Sequence, residues 1–125
     1  MTDSPDPRPA VWLGHLGPHL VPDLAAAAAA YEQTGMRVVA RPEGRVHFEL
    51  RGGTHLILQE GDPGETGTAP FDLMVDDLDA AHGAWAAAGL HVSEIQHGAN
   101  HDSFAWTDPG GWKVMVHSSH VVGPV

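Results

Sequence analysis

Two stretches decide the fold: Val21-Pro22-Asp23-Leu24, running through alanines to Gly35-Met36-Arg37-Val38, and Val75-Asp76-Asp77-Leu78, running through alanines to Gly89-Leu90-His91-Val92. Each residue of the second stands 54 positions after its counterpart, Val75 after Val21, Asp77 after Asp23 and Gly89 after Gly35, with no gap. Further on, Gly52-Gly53-Thr54-His55-Leu56-Ile57-Leu58 matches Gly110-Gly111-Trp112-Lys113-Val114-Met115-Val116 at 58 positions. The second copy therefore holds four extra residues in a loop or hairpin. Repeats of this length are single supersecondary units that must stack to bury their apolar faces.

Local chemistry fills in each unit. An apolar strand ends at Val21, and Asp23 suits a helix N-cap because its carboxylate can accept from free amides of the first turn. The helix is expected to run to about Thr34, where Gly35 fits the left-handed C-terminal turn. A strand over Met36 to Ala40 follows, then a turn at Pro42-Glu43-Gly44. Val46-His47-Phe48-Glu49-Leu50 alternates apolar and polar residues, as a half-buried strand does. Gly52-Gly53 makes a hairpin into a strand over His55 to Glu60. The second copy repeats the plan: a strand to Val75, a helix from Asp77 to Ala88, and strands near Leu90 to Ile95, Ser103 to Trp106 and Trp112 to His117. The expected division is a disordered lead-in over 1–9, a first βαβββ module over 10–60, a linker over 61–69 and a second module over 70–120. Together they make one α+β domain, a curved mixed sheet with helices outside and a concave cleft inside.

The composition excludes several function classes. Sixteen Asp and Glu stand against six Lys and Arg, a formal charge of −10. That balance opposes nucleic-acid binding, which needs clustered cations. It is compatible with a cationic ligand and equally with plain solubility. The absence of cysteine rules out disulfides, thiolate metal sites and a Cys nucleophile. No run is long and apolar enough for a membrane span, and the N-terminus has no signal-peptide pattern, so a cytoplasmic protein is expected. G-x-S-x-G, phosphate-cradling and dinucleotide motifs are all missing.

The paired V-x-D-L starts and the ending Asp108-Pro109-Gly110-Gly111-Trp112-Lys113-Val114-Met115-Val116 resemble the glyoxalase / bleomycin-resistance / dioxygenase superfamily, the vicinal oxygen chelate proteins. The resemblance covers roughly residues 11–118. It implies a homodimer with clefts lined by the sheets. It does not imply one reaction, since members include lyases, dioxygenases, thiol transferases and drug-binding proteins.

The resemblance also says where a metal would be held. Metal-dependent members place one ligand seven residues before each helix-capping Asp and one on the last strand of each module. Here those positions are Leu16, Pro70, Ile57 and Met115. Leucine, proline and isoleucine have no donor atom, and a lone thioether is a poor ligand for hard or borderline metals. The expected site is absent, and no cofactor is expected. A relocated divalent metal on His47, Glu49 and His117 is the alternative, since His47 and Glu49 share a strand face.

Strand parity marks the cleft lining. Trp12, Leu16, Ile57, Met74 and Met115 supply apolar surface, with His47, Glu49, Gln59, Asp72 and His117 as polar groups, a usual build for a small-molecule site. Trp106 and Trp112 bracket the DPGG turn and either stack on a flat ligand or serve core or dimer packing. Asp72, an inward acid on an apolar strand, needs a partner in the protein, in water or in a cationic ligand. The expected ligand-binding set is therefore Trp12, His47, Glu49, Gln59, Asp72, Met74, Trp106, Trp112, Met115 and His117. The leading expectation is metal-free binding of a cationic or aromatic small molecule by a homodimer. The alternative is a metal-dependent lyase or dioxygenase, and whether the protein is an enzyme stays open at this point.

Overall fold

In the computed structural model, residues 6–119 are described. Most of the lead-in expected at 1–9, and the expected module end at 120, lie outside or at the edge of that range. The first module is β1 (His15–Val21), α1 (Leu24–Gln33), β2 (Arg37–Ala40), β3 (Arg45–Glu49) and β4 (His55–Glu60). The second is β5 (Thr68–Val75), α2 (Leu78–Ala87), β6 (His91–Val92), β7 (Gln96–His97), β8 (Asp102–Thr107) and β9 (Lys113–Ser118). This is the expected α+β plan of two βαβββ modules. Asp23 and Asp77 cap the two helices, accepting from the Ala26 and Ala80 amides at 3.1 and 3.0 Å. The extra residues of the second copy fall where β7 forms, a short strand that pairs with β8 beside β6.

Each module makes its own hydrogen-bonded ladder, β1-β4-β3-β2 and β5-β9-β8-β6. In both, the opening strand runs parallel to the last one, and the others are antiparallel. Alternation decides the buried side: Val46 and Phe48, Leu56 and Leu58, Phe104 and Trp106, Val114 and Val116 are all buried, while their neighbours are not.

The helices pack on the sheets of their own modules, α1 on β3 and β4 and α2 on β6, β8 and β9, with their other sides exposed as expected from the sequence. Tyr31 of α1 meets Phe48 of the first sheet and Trp106 of the second, with ring centres 6.2 and 4.7 Å away. Trp106 in turn meets Trp85 of α2 at 5.8 Å. The helix-bearing sides of the two sheets therefore share one core. The reason lies in Ala25 to Ala30: side chains of one carbon leave room for aromatic rings from both sheets, and Ala27, Ala28 and Ala30 are all buried. The opposite sheet faces point away from that core.

Candidate ligand-binding site

On the second sheet, β5 turns Leu73 inward to the core and Pro70, Asp72 and Met74 outward. Register with β9 sets Asp72 beside Met115 and Met74 beside His117, and β8 adds Ser103 next to His117. His117 Nε2 stands 3.3 Å from Asp72 Oδ2. The ring of His101 lies edge-on to that of His117, 5.8 Å between centres. Thr68, Pro70, Phe71, Asp72, Met115 and His117 line a shallow cavity of about 340 Å³. Three expected residues, Asp72, Met115 and His117, thus come together, with Asp72 largely exposed beside His117. Met74 is half exposed and borders a larger groove between the modules, of about 700 Å³. Glu49, Arg51 and Trp85 also line that groove.

The first sheet presents a separate outward face. His47 is in register with Ile57, Gln59 with Arg45, and Glu49 with His55. Arg37 donates to Glu49 from the neighbouring strand. His47 Nε2 is buried and has no hydrogen-bond partner. A buried ring nitrogen left so costs about 1–3 kcal/mol.

The first strand departs from the counted parity. β1 pairs His15 with His55 and Leu16 with Leu56, then shifts register before His19 meets Leu58. The irregularity at Gly17-Pro18 flips the face on which the preceding residues stand. Leu16 is therefore part-buried against the core while it also borders the groove between the modules, and His15 takes the outward position.

The metal positions can now be tested on chemistry. His15 offers a donor where Leu16 offered none, but Ile57 and Pro70 offer none and Met115 only a thioether. The family's four-ligand site does not fit these residues. The alternative set of His47, Glu49 and His117 is not brought together within one chain either. Among the described residues no three His, Asp or Glu side chains gather where they could hold an ion.

The tryptophans need correction. Trp106 is 1% exposed and belongs to the core, so it is removed from the ligand-contacting set. Trp112 is partly buried at the module junction, where Nε1 donates to the Leu20 carbonyl at 3.0 Å. Its ring faces His19 at 4.9 Å, which is a packing role. Trp12 is 72% exposed ahead of β1 and lines neither cavity.

One polar cluster was missed in the sequence. His19 and Asp108 are 4% and 3% exposed. Asp108 Oδ2 accepts from Tyr31 Oη at 2.7 Å and from His19 Nε2 at 3.1 Å. Its Oδ1 accepts from the amides of Gly110 and Trp112, at 2.8 and 3.0 Å. Burial pushes the Asp108 carboxyl up, but the bonds from His19, Tyr31 and the Trp112 amide outweigh it and hold it below its ordinary value. Burial, and then the adjacent Asp108 charge, push the Tyr31 phenol well above its own. A usable signal existed: His19 shares the parity of Val21, the most deeply buried residue of its strand.

With the geometry in place, comparison with known proteins identifies the family. The model of the Glyoxalase/Bleomycin resistance protein/Dioxygenase superfamily matches residues 12–116. The chain belongs to this superfamily. Among curated proteins none matches it. Of solved structures, it is similar to a lactoylglutathione lyase from Agrobacterium tumefaciens, with a TM-score of 0.68 at 25% identity over 91% of this chain and 96% of that one. A glyoxalase/bleomycin resistance protein/dioxygenase from Alicyclobacillus acidocaldarius gives 0.70 at 17% identity, over 87% and 92%. The genomically encoded fosfomycin resistance protein FosX from Listeria monocytogenes gives 0.69 at 13% identity, over 91% and 96%. At such identities the last two speak for the fold alone. Superfamily membership fixes the scaffold, and the site must supply the function.

Proposed function

We propose that this superfamily member binds a cationic or aromatic small molecule without a metal, in a cleft completed by a second copy of the chain. The observation that carries the reading is the set of side chains at the family's ligand positions, where Ile57, Pro70 and Met115 replace good donors. In their place stands an apolar wall of Pro70, Phe71 and Met115 bearing the Asp72–His117 pair. Asp72 keeps much of its carboxylate open to solvent, where an ammonium group could pair with it. In a homodimer the first-module face of one chain would meet the second-module face of its partner. His47 and Gln59 would then join the cleft from the partner's side. No helix among the described residues is long and apolar enough to cross a membrane, and we place the protein in the cytoplasm.

The test is a thermal-shift panel of cationic, neutral and anionic aromatic compounds on the purified protein. Cationic members are expected to raise the melting temperature, and Asp72→Asn to weaken them roughly tenfold, about 1.4 kcal/mol. A panel in which no compound shifts the melting temperature sinks the binding reading. The alternative is a metal-dependent lyase or dioxygenase, favoured by the single donor His15. Elemental analysis of protein purified without chelator or tag separates the two. One tightly held metal per chain, lost in His47→Ala or His117→Ala, would overturn the metal-free reading.

A further inference from the structure

The outward face of the first sheet carries a row of side chains across four strands. Arg37 on β2 is in register with Glu49 on β3, Glu49 with His55 on β4, and His55 with His15 on β1. The irregularity at Gly17-Pro18 creates the last of these pairings, since a regular strand would turn His15 to the core. The two imidazoles are 5.4 Å apart between ring centres and tilted by 57°. With metal–nitrogen bonds of about 2.0–2.1 Å, two imidazoles on one tetrahedral ion put their ring centres roughly 5 Å apart. The backbone beneath them is fixed. The His55 amide donates to the Gly14 carbonyl at 2.8 Å, and Thr54 Oγ1 donates to the Leu13 carbonyl at 2.6 Å.

We infer that His15 and His55 form a two-imidazole clamp for a borderline divalent transition metal such as Cu²⁺, Ni²⁺ or Zn²⁺. Neutral imidazole suits these ions, and they follow the usual affinity order with Cu²⁺ tightest. The protein's charge of −10 draws cations toward its surface. Glu49, directly across from His55 in the strand register, is held by Arg37. With two protein donors and the remaining positions open to water, the clamp binds exchangeably. Protein that carries no metal after purification is consistent with it. The pair lies on the first-module face that the proposed composite cleft would use, and a titration with metal alone reads the clamp separately from the thermal-shift panel that reads the cleft ligand.

Titration with Cu²⁺ alone, followed by calorimetry and electron paramagnetic resonance on the intact protein, tests the clamp. One saturable ion per chain with coupling to two imidazole nitrogens is expected. Either His15→Ala or His55→Ala should lower the affinity at least tenfold and remove one nitrogen coupling. His91→Ala, an exposed imidazole on β6, should leave the isotherm unchanged. Because His15 is exposed, His15→Ala should keep the wild-type melting temperature, which separates lost metal binding from lost folding. No saturable binding, or an isotherm and spectrum unchanged in the His15→Ala/His55→Ala double variant, overturns the clamp.

Discussion

Asp108 accepts four hydrogen bonds on its two carboxylate oxygens, two of them from side chains of the other module. Bonds to a buried charge are worth about 1.5–3 kcal/mol each, so Tyr31→Phe should destabilise the protein by an amount in that range. Asp108→Ala leaves four donors without an acceptor and should cost about 3–5 kcal/mol. Denaturant melts of the two variants check both values. The pH dependence follows from the same group. A carboxyl held below its ordinary 3.8 contributes in full above that pH, and the contribution is lost as the pH falls beneath it. A phenol raised above its ordinary 10.0 contributes in full below that pH, and stability declines as the pH rises past it. Melts at pH 3, 7 and 11 should show both losses in the wild type, and Tyr31→Phe should flatten the alkaline one.

At the scale of the element, β1 holds the feature on which the site turns. A Cβ on Gly17 would stand 2.6 Å from the Ile57 carbonyl oxygen and 2.8 Å from the His19 amide, at a φ of +109°. Gly17→Ala should therefore cost about 2–3 kcal/mol and disturb the His15–His55 pairing, read as a lower melting temperature and shifted His15 ring signals. Most elements were legible in the sequence, because the repeat, the Asp caps and the alternation of Val46 to Leu50 each have a local cause. The face of Leu16 was not. Parity counting assumes two residues per pleat, and one irregular residue reverses everything before it. The reach of Tyr31 from α1 to the second sheet was hidden for a different reason, since a helix of alanines has no marked apolar side to read. Asp72, Met115 and His117 were legible as a group because they share one uninterrupted parity. Trp106 was not, because a tryptophan beside a turn looks alike in the sequence whether it stacks on a ligand or fills a core.

At the scale of the whole molecule, the outward faces carry an exposed apolar side chain and a buried polar atom without a hydrogen bond. Met74 is 51% exposed, and His47 Nε2 has no partner. A concentration-dependent homodimer is expected in sedimentation experiments. Met74→Asp should weaken it at least tenfold while leaving far-UV circular dichroism unchanged, and a monomer at all concentrations would contradict the composite cleft. The shared core has a consequence for how such a chain can arise and fail. The DPGG turn of the second half is organised by His19 and Tyr31 of the first, and the aromatic ring of Tyr31 lies between both sheets. The halves repeat one plan but are not interchangeable. Each supplies part of the interior of the other, so a severed half is expected to expose that shared core and to lose its cooperative melt.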